Sequence, residues 1–314
     1  MTSSTATPDA VGQGKDCWPA SFRDWLSAQC VVRAGRFNSF SWVREVRHRL
    51  SVSVSKHRQL VEFETPYQFS MLLPVNYNGL ILMALCGRLF HPRLTEILGA
   101  NVHPGDTVID GGGHLGFFTL LAGRRLKGKG RVITFEPTPD TFSILQENVV
   151  RNGLQGVVQL EQKALTNTSG IFSFLEAGES MLNHLTVADE PTSGVIRVEG
   201  VNLDSYLAAK GLGHVDVIKL DLEGAEHLAL QGMTSSLRAA RLLVFEMNEP
   251  RLLEMQTDPL ELIDETARAG AFTSLSYIDE RTERLCDWDP QEFLHLLREY
   301  KFVNVICQKQ TRVI

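Results

Sequence analysis

The sequence has few cysteines, and they form no pattern that indicates a disulfide framework or a zinc site. The five cysteines are odd in number and scattered, and none forms a C-x-x-C pair. They favour reduced thiols and a cytoplasmic protein. Residues 1–16 lack a basic start followed by an apolar run, so we expect no secretory signal in them.

Long apolar runs and a strong charge imbalance are also missing. The most apolar run, residues 79–90, contains Arg88 and is shorter than the roughly 20 residues that span a bilayer, which is typical of a core helix. The net charge of −6 gives no general attraction to nucleic acid or anionic membranes. The basic residues between positions 44 and 58 are typical of a solvated helix face. With no N-P-P-Y-type motif either, we expect neither a nucleic-acid nor a membrane partner.

The composition, 43% hydrophobic and 22% charged over 314 residues, is that of a globular protein with one large domain and an addition. Residues 1–16 are small and polar, which predicts a disordered tail. Residues 17–100 are predicted to be mostly helical and to form either a cap or a lid that walls the substrate. They carry no chemical motif. The sequence does not decide whether a homo-oligomer forms through them. Residues 101–314 are predicted to form the main domain.

The main domain alternates short β-branched runs with helical segments. This alternation predicts an α/β fold with a mostly parallel sheet covered by helices. Runs such as VDVIKL are typical of strands that are buried on both faces. Thr138 is a candidate cap for a helix that has Pro139 in its first turn and Gly153 after its end. Residues 171–206 are expected to form an irregular antiparallel insertion.

A glycine-rich stretch, VIDGGGHLGFFT, ends the first of these strands and fits two ligand patterns at once. Gly111, Gly113 and Gly116 match the dinucleotide spacing G-x-G-x-x-G. Asp110, Gly112 and Gly116 match D-x-G-x-x-x-G, which occurs where S-adenosylmethionine binds. A glycine turn before a helix serves either ligand, because it allows close backbone approach and presents helix amides. The glycines alone do not decide between the two.

Acidic residues at the strand ends favour the cationic ligand. Asp110, Asp221 and Glu246 end the first, fourth and fifth strands. The carboxyl ends of parallel strands open onto one crevice, so these side chains are expected to converge there. A dinucleotide brings a pyrophosphate, whereas S-adenosylmethionine brings a sulfonium and an ammonium. Three carboxylates suit the cation and disfavour the diphosphate.

Residues suited to the adenosine half of either cofactor follow the next two strands. Glu136, followed by Pro137, stands twenty residues after Gly116, where an acid accepts hydrogen bonds from ribose hydroxyls. Lys163 and Ala164, near the end of the third strand, are candidates for contact with an adenine edge. These positions predict an adenosine ligand without identifying which one.

Candidate catalytic groups lie in the loop after the fourth strand. Methyl transfer to an alcohol needs an aligned nucleophile and removal of its proton. Asp221 and Glu223 are candidates for the base or for orienting the hydroxyl. Alternatively, Glu223 and Glu226 are structural and complement the dipole of the following helix. His184 and His227 are alternative bases, although each is more often an ordinary histidine.

A magnesium ion is a further candidate at this edge. Asp221, Glu246 and Asn248 supply oxygen ligands from two neighbouring strand ends, as Mg²⁺ prefers and as in catechol-type methyltransferases. No cluster of histidine and cysteine supports a transition metal.

Several of these stretches together resemble the FkbM-type S-adenosylmethionine-dependent methyltransferases, over roughly residues 105–250. The D-x-E-G-A-E run is the most distinctive. The resemblance implies a Rossmann-like sheet of seven strands with the last inserted antiparallel, the two late strands near 272–278 and 302–308 being the sixth and seventh. It also implies O-methylation of sugars, polyketides or other small metabolites in natural product biosynthesis. The matching stretches are VIDGGGHLGFFT, VITFEPTPDTFSILQENV, VNLDSYL, VDVIKLDLEGAEHLALQGM and LLVFE.

The resemblance also implies roles for individual residues. Asp110, Gly112 and Gly116 match the loop at the methionine side, and Glu136 matches the ribose ligand. The motif after the fourth strand and the acid after the fifth match at Asp221, Glu223, Gly224, Glu226 and Glu246.

Two neighbouring residues depart from the family pattern. The family usually has Ala-Asn at Gly113 and His114, and the general methyltransferase pattern has a glycine at position 114. His114 is therefore a candidate for contact with the carboxylate of the cofactor or for capping the helix.

Two other functions stay open from the sequence. An NAD-dependent oxidoreductase would need a separate catalytic Tyr-x-x-x-Lys or a His-bearing domain. Only Tyr206 and Lys210 have the first spacing, in the insertion away from the strand ends. The second is a non-catalytic regulator with a methyltransferase fold, although the intact acidic positions argue against a loss of catalytic activity. The expected partner is a small-molecule acceptor.

Overall fold

The computed structural model describes residues 50–54, 59–74, 91–175, 184–186 and 195–309. The predicted tail and much of the predicted cap or lid region lie outside the described residues. No helix within the described part is both long enough and apolar enough to cross a bilayer.

The described elements are fifteen strands and nine helices. The strands are β1 (Leu50–Val54), β2 (Gln59–Glu64), β3 (Ser70–Pro74), β4 (Thr107–Gly111), β5 (Arg131–Phe135), β6 (Val158–Glu161), β7 (Ala164–Leu165), β8 (Gly170–Leu175), β9 (His184–Thr186), β10 (Val195–Val201), β11 (Val217–Leu220), β12 (Leu242–Asn248), β13 (Ser274–Asp279), β14 (Arg284–Asp287) and β15 (Phe302–Gln308). The helices are α1 (Pro92–Asn101), α2 (Phe117–Arg125), α3 (Pro139–Arg151), α4 (Leu203–Ala209), α5 (Glu226–Gln231), α6 (Thr234–Ala239), α7 (Glu249–Glu254), α8 (Pro259–Gly270) and α9 (Pro290–Tyr300).

An eight-stranded sheet forms the centre of the main domain, in the order β14-β13-β15-β12-β11-β4-β5-β6. The strands from β12 to β6 run parallel, and β15 lies antiparallel between β12 and β13. The predicted Rossmann-like α/β sheet with an antiparallel last strand is thus confirmed. The hairpin strand β14 adds an eighth strand at the edge, beyond the seven that were predicted.

The core lies on both faces of this sheet, as continuous apolar strands require. Along β12, Leu242 and Val244 pack into one buried cluster, while Leu243 and Phe245 pack into the other. Because successive side chains of a strand point to opposite faces, an apolar run fills both layers.

The antiparallel insertion is also present. Strands β7, β10, β8 and β9 form a second sheet in that order, and all its pairs except β7–β10 are antiparallel. The predicted helix after β5 is α3, with Thr138 at its N-cap, Pro139 at its first position and Gly153 in the left-handed region two residues after its last residue.

The described part of residues 17–100 does not fit the prediction of a mostly helical region. Only α1 is a helix there, and β1, β2 and β3 form an antiparallel sheet. The period-two alternation of LSVSV, which is typical of strands, carries this signal.

Two asparagines, one in α3 and one directly after it, hold the edge of β3. The amide of Asn148 accepts a hydrogen bond from the Leu72 N–H at 2.6 Å and donates to the Leu72 carbonyl at 3.2 Å. Asn152 makes the equivalent pair of bonds with Ser70, at 3.1 and 2.8 Å. These amides take the place of a neighbouring strand, so the small sheet is fixed against the main domain.

Candidate active site

A cavity of about 330 Å³ opens at the carboxyl ends of the parallel strands. This is the edge at which open α/β sheets bind ligands, and the volume is in the range of small-molecule sites. The predicted site residues that line it are Gly112, Gly113, His114, Glu136, Pro137, Lys163, Ala164, Asp221 and Glu223. The predicted residues that are not part of the lining include Asp110, Gly111, Gly116, Glu246 and Asn248.

The loop after β4, residues 112–116, is here called the glycine loop. Its conformation leaves no space for side chains at two positions. Gly112 has φ +73°, and a Cβ there would lie 1.8 Å from the Asp221 carbonyl oxygen. A Cβ on Gly113 would lie 2.2 Å from the Thr134 Cγ2 atom. The loop is therefore clamped between β5 and the segment after β11, and it presents its backbone to the cavity.

His114 occupies a position that suits glycine. Its φ is +48°, in the left-handed region, which explains why the general methyltransferase pattern has glycine there. Its N–H donates to Glu136 Oε2 at 2.9 Å. Burial lowers the pKa of its ring to about 4, so the ring is neutral at pH 7.

Glu136 is fixed by groups on either side of it. Its carboxylate accepts from the N–H of His114 and, at 3.0 Å, from the N–H of Thr138. The Thr138 hydroxyl also donates to Glu136, so it does not cap α3. Burial raises the pKa of this carboxyl, and the three hydrogen bonds oppose that rise.

Asp110 is held beneath the loop by a lysine that the sequence reasoning missed. Only 4% of Lys219 is exposed, and its Nζ lies 3.4 Å from Asp110 Oδ1 and 3.5 Å from Asp221 Oδ2. The ammonium also donates to the Gly112 carbonyl at 3.1 Å. The expectation that Asp110 faces the ligand is therefore not met. This carboxylate, which is 2% exposed, anchors the loop through Lys219 and accepts from the Thr119 hydroxyl at 2.6 Å.

Acidic side chains crowd the loop after β11. Burial and the charges of Asp221 and Glu226 raise the pKa of Glu223 to about 9. Burial raises the pKa of Glu226 to about 7, although its carboxylate accepts from the Leu222 N–H at 2.5 Å. Burial and the charges of the other acids also raise the pKa of Glu246 well above its ordinary value. Each of these carboxyls therefore gives up its proton less readily than an exposed one, and a nearby positive charge would oppose the rise in pKa.

The structure gives limited support to the other candidate groups. Within the described ranges, no three side chains of histidine, cysteine, aspartate or glutamate are grouped to hold a metal ion. The Asn248 oxygen, a candidate Mg²⁺ ligand, accepts from the Arg251 N–H at the start of α7. His227 is buried, lies outside the cavity lining and has its Nδ1 3.3 Å from the Gly224 carbonyl. His184 lies in β9.

Four cavity residues come from segments that the sequence does not connect to the site. Met71 in β3 and His91 before α1 belong to the predicted cap or lid region. Phe174 lies in β8 of the antiparallel insertion, and Phe302 begins β15. No motif marks them, because each reaches the cavity through tertiary packing. For Lys219 the sequence does contain a signal, since a lysine within the otherwise apolar strand VIKL needs a buried anionic partner.

Known proteins resemble this chain over its main domain. The model of the methyltransferase FkbM domain matches residues 99–273. Hexuronic acid methyltransferase AglP of Haloferax volcanii is 28% identical over 143 residues, which are 46% of this chain and 56% of that protein. The 31-O-demethyl-FK506 methyltransferase FkbM of Streptomyces tacrolimicus is 27% identical over 165 residues, which are 43% of this chain and 62% of that protein. Each match covers less than two thirds of the relative's own length.

Among solved structures, an S-adenosylmethionine-dependent O-methyltransferase from Thermotoga maritima aligns with a TM-score of 0.39. The alignment has 12% identity and covers 85% of this chain and 88% of that one.

Proposed function

Because this chain belongs to the FkbM methyltransferase family, we propose that it transfers a methyl group from S-adenosylmethionine to a hydroxyl of a small metabolite. The observation that carries the proposal is the cavity between the glycine loop and the acidic loop after β11. Asp221, Glu223 and Glu136 all line it. A cation with an attached ribose suits this set of acceptors, whereas a diphosphate would meet repulsion.

The proposed cofactor contacts follow from the lining. Glu136 and Pro137 would hold the ribose, and Ala164 and Lys163 would flank the adenine. Gly112, Gly113 and His114 would present backbone to the methionine part, while Asp110 and Gly116 shape that loop from behind. When bound, the cofactor supplies a methyl group on a positively charged sulfur.

The acids after β11 have separable roles in this proposal. Asp221 lines the cavity, and its Oδ2 lies 3.5 Å from the Lys219 Nζ, so its carboxylate would accept a hydrogen bond from the cofactor's ammonium or from the acceptor. With its pKa raised to about 9, Glu223 is protonated at pH 7 and becomes a carboxylate only when a cation lies nearby. Its part is therefore to bind the donor's charge rather than to act as the base.

The names of relatives support an oxygen acceptor. One relative is named for a hexuronic acid and another for an O-demethyl compound. A sugar or polyketide hydroxyl is thus the proposed acceptor class. To identify the acceptor, labelled S-adenosylmethionine would be incubated with the protein and a metabolite extract, and the labelled product would be isolated. Labelled nucleic acid in place of a small molecule would contradict the proposed class.

Removing the Glu136 carboxylate is expected to weaken cofactor binding. Hydrogen bonds to a charged group contribute about 1.5–3 kcal/mol, so Glu136→Ala should bind S-adenosylmethionine and S-adenosylhomocysteine roughly 10- to 100-fold more weakly. Calorimetry of both ligands and of NAD measures this. Glu147→Ala, at an exposed position of α3, is the matched control and should bind like the unmodified protein. Tight binding of NAD with no response to either sulfur ligand would instead support an oxidoreductase.

A further inference from the structure

A histidine outside the family motifs is held at the cavity by a carboxylate. His91 lines the cavity, and 31% of its side chain is exposed. Its Nδ1 lies 3.2 Å from Glu280 Oε2, although the two residues are 189 positions apart in the chain. The edge of its ring meets the Phe302 ring, with the centroids 6.3 Å apart and the planes at 85°. The ring therefore has a fixed place at the site.

Glu280 is itself positioned from the central sheet. It follows β13 directly, and its Oε1 accepts from the Asn304 side-chain amide at 2.8 Å. Asn304 is 4% exposed and belongs to β15, which lies between β12 and β13. The amide holds one carboxylate oxygen, and the other oxygen is left to face His91.

This arrangement selects one tautomer of the His91 ring. A carboxylate only accepts hydrogen bonds, so the neutral ring places its proton on Nδ1 and leaves a lone pair on Nε2. Within the described part of the chain, Nε2 makes no hydrogen bond. Nε2 of His91 therefore has a free lone pair, Glu280 fixes the tautomer of the ring, and the ring lies at the cavity. These are the geometric features of a general base.

We propose that His91 is the general base of the methyl transfer and that Glu280 is its positioning residue. The inference rests on the proposed function and names the group that receives the acceptor's proton. In the step, the acceptor hydroxyl gives its proton to His91 Nε2, and its oxygen forms the new bond to the methyl carbon. The carbon–sulfur bond breaks, and the sulfur keeps the electron pair as a neutral thioether. The imidazolium then returns its proton to solvent.

The charges around His91 agree with this role. Burial lowers the pKa of the ring, but the hydrogen bond and charge of Glu280 and the charge of Asp221 raise it above the ordinary value, against the opposing charge of Lys219. Two other titratable groups in the cavity suit the role less well. His114 has a pKa of about 4 and is a weak base, and Glu223 is protonated at pH 7.

Nuclear magnetic resonance of ¹⁵N-histidine-labelled protein tests the proposal without an acceptor. His91→Asn assigns the signal, and asparagine tolerates the left-handed backbone of this position. We expect the Nδ1–H tautomer in the neutral ring and a titration midpoint above 6.5 that falls in Glu280→Gln. S-adenosylmethionine should lower the midpoint more than S-adenosylhomocysteine, because it carries one more positive charge near the ring.

The outcomes separate this inference from the proposed function. If neither sulfur ligand shifts the amide signal of His114 in the glycine loop, the proposed function fails. If both shift that signal while His91 shows the Nε2–H tautomer or no response to the sulfonium, the base assignment is overturned and the function stands.

Turnover of the acceptor found with the labelled donor gives a second readout. General base catalysis contributes roughly 10²–10⁴-fold, so His91→Asn should lose that much in kcat while its affinity for S-adenosylmethionine changes less than about threefold. Glu280→Gln should move the acidic limb of the kcat profile to lower pH. An unchanged kcat in His91→Asn would contradict the proposal.

Discussion

Replacing Lys219 with methionine is expected to lower the free energy of unfolding by about 3–5 kcal/mol, the usual cost of removing one partner of a buried ion pair. The ammonium lies between Asp110 and Asp221 and is 4% exposed. Without it, the buried Asp110 carboxylate has no compensating charge and the Gly112 carbonyl loses its donor. Urea unfolding followed by circular dichroism measures the change.

Two controls separate this mechanism from a general effect of losing a lysine. Lys210→Met removes a lysine whose side chain is 50% exposed and whose Nζ lies 4.0 Å from Glu161. Exposed pairs contribute less than about 1 kcal/mol, so this variant should remain nearly as stable as the unmodified protein. The double variant Lys219→Met, Asp110→Asn removes both charges and should recover part of the lost stability. Equal losses in the single and double variants would contradict a role of charge.

The second large effect is expected at Gly112. Alanine at this position would combine a positive φ with a Cβ that lies 1.8 Å from the Asp221 carbonyl oxygen. Left-handed backbone costs about 1–2 kcal/mol and overpacking typically 1–3 kcal/mol, so we expect Gly112→Ala to lose about 3 kcal/mol or more. Because the loop must move to relieve the contact, cofactor binding should also be lost, which calorimetry measures.

Gly153 provides a matched control for the backbone contribution. It has φ +66°, and a Cβ there would meet no atom within 4 Å. Gly153→Ala should therefore lose only the backbone part, about 1–2 kcal/mol, and should keep its affinity for S-adenosylmethionine. If the two alanine variants unfold at the same urea concentration, the contact with Asp221 is not what requires glycine at position 112.

The central sheet and the glycine loop were predictable because their signals are local. An apolar run such as that of β12 indicates a strand buried on both faces, and the structure places its residues in both core clusters. Pro139 and Gly153 likewise mark the two ends of α3 by rules that act within a few residues. Residues 17–100 are an exception, because the prediction of a mostly helical region disagrees with the period-two strand pattern of β1.

The less predictable features arise from contacts between distant parts of the chain. Lys219 and Asp110 meet because β11 and β4 are neighbours in the sheet, with Lys219 directly opposite Asp110 in the register. His91 and Glu280 meet because α1 begins near the end of β13, and no spacing in the sequence encodes that approach. Tertiary structure therefore decides that Asp110 faces a lysine rather than the cavity.

The central claim is that the acidic loop after β11 binds the positive charge of a methyl donor. Burial and neighbouring acids raise the pKa of Glu223 to about 9, so its carboxyl is protonated at pH 7. A cation favours the carboxylate, lowers that pKa and releases the proton. Affinity for the donor should therefore rise as the pH increases from about 6 to 9.

The most direct test is calorimetry of S-adenosylmethionine and S-adenosylhomocysteine at pH 7 in buffers of different ionisation enthalpy. The two ligands share their ammonium and carboxylate and differ by the methyl group and its positive charge. We predict that the methyl donor releases more protons than the homocysteine compound and that Glu223→Gln removes most of the excess. Equal proton release by both ligands, with affinities independent of pH, would contradict the claim.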